Sequence, residues 1–325
     1  MKRTIISILI AGSIAAVTAT SAVAEIQATD MVDIFEKLGG KHAGFRKAHA
    51  RGVCATGTFT PASSEQFAGS KLLASGDLPV MLRFSVGGAD PNSDERAPGT
   101  RGAGVRIQLP DGGYHIFTGN NFPVFAGKDV ETFHGFLSTL LPDENGKRDP
   151  MKTMAFIKAN PSVQANVAWN QQAQTPASYA NTEFFGIHTF YFNKDAEQQT
   201  KFRWHLVPDL GVKTILKEEA AKMEDGFLTP AMAKQLKDGP VSFTLQATIG
   251  EAQDSENDPS SQWPDDRADV TLGKITLSTS GGDDCNIVNF DPNMLSAGFT
   301  PSDDPVLKMR TLAYAISFGK RLSNQ

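Results

Sequence analysis

Apolar residues recur along this chain in two periods, and the switches between them mark its elements. Residues 30–46 follow helical spacing, with Val32, Ile34, Phe35 and Leu38 apolar and Asp30 placed to cap the first turn. The pattern then becomes strand-like. His49–Phe59, Pro79–Val86, Gly104–Leu109 and Tyr114–Phe117 carry β-branched and aromatic residues between Gly, Pro and Asp. Asp111 and Gly112 supply a hairpin turn between the last two. Helical spacing returns from Asp129 to Leu141, through Val130, Phe133, Phe136, Leu137 and Leu140. Residues 150–170 predict one or two helices broken at Pro161. Strands follow at Gly186–Asn193 and Lys201–Val207, two helices within 213–237, and strands at Val241–Gly250 and Val270–Ser278. A helix over 305–321 closes the chain. Asp254–Asp269 is polar and acidic without the glycine and ligand spacing of an EF-hand, and reads as a solvated loop. Two blocks of strands, with helices between and after them, predict an α+β fold on an antiparallel sheet or barrel.

The first residues stand apart from this pattern. Lys2 and Arg3 precede an apolar run, Ile5–Val17, and Ala22-Val-Ala24 is a small-x-small cleavage site before Glu25. Residues 1–24 are expected to be a secretory signal peptide, and 25–325 one domain delivered to the periplasm. The 325 residues are 40% hydrophobic with a formal net charge of -5. That balance gives no reason to expect nucleic acid, and no dense Lys/Arg run suggests stable attachment to an anionic membrane. The two cysteines, Cys54 and Cys285, form a candidate disulfide in an oxidising compartment; two separately buried thiols are the alternative.

The chemistry concentrates in a few segments. At about 100° per residue, Arg310, Tyr314 and Arg321 share one face of the last helix. A guanidinium one turn from a phenol favours the phenolate, a hard anionic donor; phenolate ligation of haem iron is rare, and catalase is its example. Arg321 is placed to meet a haem propionate. His49, entering a strand, is suited to take a proton from a hydroperoxide and return it to the leaving oxygen. The amide of Asn120 can hold a peroxide oxygen without taking up a proton. Ser85 can fix the tautomer of the histidine.

Together, in this order, these segments resemble the haem-containing catalase superfamily, from about residue 30 to the end. The matching stretches are Arg46-x-x-His49-Ala-x-Gly52, Arg83-Phe84-Ser85, Thr100-Arg-Gly102, Gly119-Asn120-Asn121-x-Pro123-x-Phe125, Gly186-x-His188-Thr189-Phe190, Phe290-Asp291-Pro292 and Arg310-x-x-x-Tyr314. The resemblance implies a catalase-like antiparallel β-barrel with inserted and C-terminal helices, binding haem b. It implies that Tyr314 is the iron ligand, with Arg310 keeping it ionised. His49 is then the distal histidine, Ser85 its hydrogen-bond partner and Asn120 the distal amide. Arg46, Arg83 and Arg321 fall where propionate-binding arginines lie, and Phe133 where a phenylalanine stacks on the haem. The chain departs from the large catalases in its short C-terminus and in Tyr-Ala-Ile-Ser at residues 314–317. Val207 stands where nucleotide-binding members carry lysine, so no bound NADPH is expected. These features resemble the catalase-related peroxidase branch. They imply a monomer or dimer that reduces hydrogen peroxide or organic hydroperoxides with small organic donors, with weak catalase activity. A haem carrier without turnover and a fatty-acid hydroperoxide rearranging enzyme are the competing readings.

Overall fold

A computed structural model describes residues 25–325 apart from 75, 196 and 197. The expected signal peptide, 1–24, lies outside the described residues. Helix α1 (Ala28–Gly39) is followed by strand β1 (Gly52–Pro61), a short helix α2 (Lys71–Ala74) and strands β2 (Leu78–Val86), β3 (Arg101–Gln108) and β4 (Tyr114–Asn120). Helices α3 (Val130–Thr139), α4 (Pro150–Ala159) and α5 (Pro161–Gln172) come next. The second block of strands is β5 (Thr175–Pro176), β6 (Phe184–Asn193), β7 (Gln199–Pro208) and β8 (Thr214–Ile215). After α6 (Lys217–Ala220) and α7 (Leu228–Asp238) the chain adds β9 (Val241–Ile249), β10 (Asp269–Ser280) and β11 (Phe299–Pro301), and ends in α8 (Pro305–Leu322).

The strands pair antiparallel in the order β6-β4-β3-β2-β1-β10-β9-β7, and β7 pairs back onto β6. This closes an eight-stranded barrel, with β11 added outside β6. A barrel of that size is just wide enough to be filled by side chains. Alternation along β2 shows how: Leu78, Val80, Leu82 and Phe84 enter the core together with Phe59, Val105, Phe184, Phe202 and Phe243. The interior is therefore packed solid, and the chemistry must lie on the outer face. There β2 presents Met81, Arg83 and Ser85.

A layer of α1, α3 and α8 covers that outer face. Met31, Ile34, Val130, Leu137 and Val306 form its apolar seam. Helix α8 starts where the carboxylate of Asp304 accepts from the Val306 and Leu307 amides at 2.8 and 3.3 Å, with Pro305 at the first position.

Two expectations are corrected. Helix α1 begins earlier than residue 30 and ends at Gly39, not 46. Asp30 sits inside the first turn and accepts from the Gln27 amide at 2.8 Å, and Gly40 leaves the helix at φ 90°, a conformation suited to glycine. The acidic 254–269 loop is not merely solvated. Asp254 is buried against Arg267, at 2.7 and 2.9 Å, and buried Arg203 donates to the Ser261 carbonyl at 2.7 Å.

A Cys54–Cys285 disulfide joins β1 to the helical turn before Val288 across 231 residues. A loop of that length is worth about 5 kcal/mol in the chain-entropy model, and native disulfides of this kind typically 2–5. The double variant Cys54→Ser/Cys285→Ser is expected to lose that stability in urea unfolding, with the fold retained.

Candidate active site

One rung across four strands builds one wall of the site. Gly52 pairs with Ser85, Ser85 with Gly102, and Gly102 with Asn120. Directly paired residues share a face of the sheet, so Ser85, Gly102 and Asn120 stand in a row. His49 folds back over this row from just before β1. Its backbone has φ 54°, and its Nδ1 lies 3.0 Å from Ser85 Oγ. A Cβ on Gly102 would sit 2.7 Å from both atoms, so glycine is what lets the ring lie flat there. Asn120 is also the residue at which β4 pairs with β6, opposite Phe185. Its Oδ1 accepts from the Phe122 amide at 2.7 Å, which fixes the side chain and leaves Nδ2 to donate.

The next rung on the same face holds Cys54, Arg83, Gly104 and Thr118. It mounts the segment after β10. Cys54 carries the disulfide, Thr118 Oγ1 donates to the Phe290 carbonyl at 2.8 Å, and the Phe290 ring packs where a Cβ on Gly104 would be. Arg83 donates to the carbonyls of His49 and Ala50 at 2.9 and 3.0 Å. One hydrogen on each terminal nitrogen is thus given to the turn that carries the histidine, while the guanidinium also lines the cavity.

The opposite wall is α8. Arg310 Nη2 donates to Tyr314 Oη at 2.6 Å. This sets a cation beside the oxygen that would bear negative charge as a metal ligand. Between the walls lies a cavity of about 1010 Å³, lined by His49, Ser85, Asn120, Arg46, Arg83, Phe133, Arg310 and Tyr314 among others. Phe133 forms part of the side wall, with its ring 4.3 Å from that of Phe125. Arg321 is buried over the ring of Phe318, itself part of the lining.

Charge is unbalanced here. Burial holds Arg46 well below the usual guanidinium range, and the charges of Arg83 and Arg321 push it further down. Arg46 Nη2 reaches the Val288 carbonyl at 2.8 Å, but Arg46 Nε and Arg321 Nη2 are buried with no partner among the described residues. Buried Arg83 and Arg321 and half-buried Arg46, with no carboxylate partner among the described residues, call for an anionic ligand.

His188 was not assigned a role by sequence reasoning, although it lies in a matching stretch. It is buried on β6, its Nδ1 is 2.6 Å from Asp304 Oδ2, and its unpartnered Nε2 belongs to the cavity wall. The Asp304 carboxylate that caps α8 thus also ties that helix to the barrel, just under two turns before Arg310.

A family model, Catalase, matches residues 15–325. The chain belongs to the catalase family. Within it the chain lies in the peroxidase branch. It is 33% identical over 314 residues to a catalase-related peroxidase of Synechococcus elongatus, covering 95% of this chain and 93% of the relative. A catalase-related peroxidase of Mycolicibacterium paratuberculosis is also 33% identical, over 88% and 92%. A catalase of Schizosaccharomyces pombe is 26% identical over 91% of this chain but only 62% of its own. Catalase A from Saccharomyces cerevisiae shares the fold at a TM-score of 0.77 and 23% identity, over 87% of this chain and 62% of that one. The chain spans 62% of the length of each of these two longer relatives.

The buried histidines of this catalase-family site make the fold sensitive to acid. Burial, then the charges of Arg83, Arg310 and Arg46, lower His49 to about 4. Burial lowers His115 to about 3, and also lowers His188 against the pull of Asp304. Each is neutral when folded, and protonates in the unfolded chain below about pH 6.5. The unfolded state then binds more protons, so stability is lost as pH falls from about 6.5 towards 4. The slope is up to about 1.4 kcal/mol per pH unit for each histidine. His205 opposes this: Glu183 and Asp269 outweigh its burial and raise it. Urea midpoints measured between pH 7 and 4.5 are expected to fall steadily; a flat profile would contradict neutral burial of these rings.

Proposed function

We propose that this chain is a haem b peroxidase that reduces hydrogen peroxide or organic hydroperoxides with small organic electron donors, and has weak catalase activity. The observation that carries this reading is the pairing of His49 and Asn120 on one wall with Arg310 and Tyr314 on the other, beside Arg46 and Arg321, each with one buried nitrogen that has no partner among the described residues. Tyr314 would hold the iron, Arg46 and Arg321 the carboxylates, and Phe133 the ring face. When bound, haem supplies the redox chemistry that breaking the oxygen–oxygen bond requires.

The protein's own part is proton handling and orientation. His49 is neutral and Ser85 occupies its Nδ1, so Nε2 is free to work as base and then acid. It takes a proton from one peroxide oxygen and returns it to the other, which leaves as water or alcohol. Asn120 Nδ2 donates to the peroxide and orients it. Two electrons and two protons balance each turnover, and two donor molecules each give up one electron.

Export to the periplasm is part of the proposal. It is supported by the sequence of residues 1–24 and by a disulfide that suits an oxidising compartment. The test of function compares two assays on haem-loaded protein. Peroxide-dependent oxidation of a phenolic donor should dominate, with slow oxygen evolution. Rapid oxygen evolution that ignores donors would reverse the assignment.

A further inference from the structure

The passage outward from His49 has a feature that hydrogen peroxide does not need. Phe133, Phe136 and Leu137 of α3 line the cavity, and Leu140 continues the same apolar face. Seven residues of helix make this track about 10 Å long. At its outer end stands Arg148. It borders both the cavity and an adjoining, mainly apolar groove of about 290 Å³ formed with Leu140, Asp149, Pro150, Thr153 and Met154.

Arg148 is exposed and has no hydrogen bond or ion pair among the described residues. The buried cations of the wall are differently placed: Arg83 and Arg101 are committed to backbone carbonyls, and Lys47 to Glu36. The nearest carboxylate in sequence, Asp149, is turned to the helix it caps and accepts from the Met151 and Lys152 amides at 2.9 and 3.3 Å. Arg148 is thus an available cation at the end of an apolar track that begins beside the peroxide-binding residues.

We propose that the organic substrates of this site are hydroperoxides of amphipathic carboxylic acids, with Arg148 docking the carboxylate. This rests on the peroxidase reading above. The hydroperoxide group lies between His49 and Asn120, the hydrocarbon runs along α3, and the carboxylate meets the guanidinium at the surface. Reduction breaks the oxygen–oxygen bond and yields the hydroxy acid and water; the electrons and protons come from the organic donors.

The test uses haem-loaded protein, a long-chain unsaturated fatty-acid hydroperoxide and its methyl ester. An exposed ion pair is worth about 0.2–1 kcal/mol, so KM should be up to about fivefold lower for the acid than for the ester. Arg148→Glu should reverse that preference and leave hydrogen peroxide and tert-butyl hydroperoxide kinetics unchanged. Calorimetric binding of the corresponding hydroxy acid should weaken in the same variant, without any turnover. Equal treatment of acid and ester by the wild type, or equal binding of the hydroxy acid by Arg148→Glu, would overturn the docking site. Failure to consume any peroxide would overturn the peroxidase reading instead, and the binding comparison would still decide the role of Arg148.

Discussion

Replacing His49 is expected to slow the reaction with peroxide by about 10²–10⁴-fold while haem stays bound. The reason is specific to this ring. It is held over Gly102 by a left-handed backbone at φ 54°, by Ser85 Oγ at 3.0 Å and by Arg83 on its own carbonyl at 2.9 Å. It is also neutral over the working range, because burial and three nearby guanidiniums lower it to about 4. A base this well placed contributes through the transition state and little through binding. Alanine at positive φ carries a backbone strain that asparagine tolerates better. His49→Asn is therefore the cleaner variant, and His49→Ala its companion. Stopped-flow absorbance after mixing with peroxide measures the effect. A normal rate in both would remove the acid–base role from His49.

Tyr314→Phe is expected to lose haem. The substitution deletes one oxygen from a half-buried side chain, so the fold should survive. What disappears is the atom that Arg310 approaches at 2.6 Å. Loss of an outer-shell partner commonly costs 10–100-fold in metal affinity. Loss of the ligand itself should exceed about 100-fold, and Arg310→Gln should fall within the outer-shell range. The haem-to-protein ratio after purification from haem-supplied cells reads this directly. A fully loaded Tyr314→Phe protein with an unaltered visible spectrum would place the ligand elsewhere.

Much of the architecture is legible in the chain because its periods are clean. The alternation in β2 separates Leu82 and Phe84 from Arg83 and Ser85, and so separates core from site. The helix over 305–322 carries its cap at Asp304 and its chemistry four residues apart. Pro161 breaks α4 from α5 as its missing amide requires. The residues of the distal row could be listed from short motifs, but not their common rung, which is a property of strand register. The same limit hides the His188–Asp304 pair, two ordinary residues 116 positions apart. The apolar spacing of α1 predicts a longer helix than the one that Gly39 and Gly40 end. The 254–269 loop looked solvated because acidic residues usually are; its partners, Arg203 and Arg267, identify themselves only in three dimensions. Arg83 shows the same lesson within the site. Its type and place predict a propionate contact, and the structure adds two hydrogen bonds from its terminal nitrogens to the turn that presents His49.

The most direct test of the central claim is the absorbance spectrum of the mature protein purified from haem-supplied cells. A high-spin ferric Soret band with the visible pattern of tyrosinate ligation is the expected result, and it joins cofactor and ligand in one observation. A protein that takes up no haem, even on reconstitution, would contradict the account.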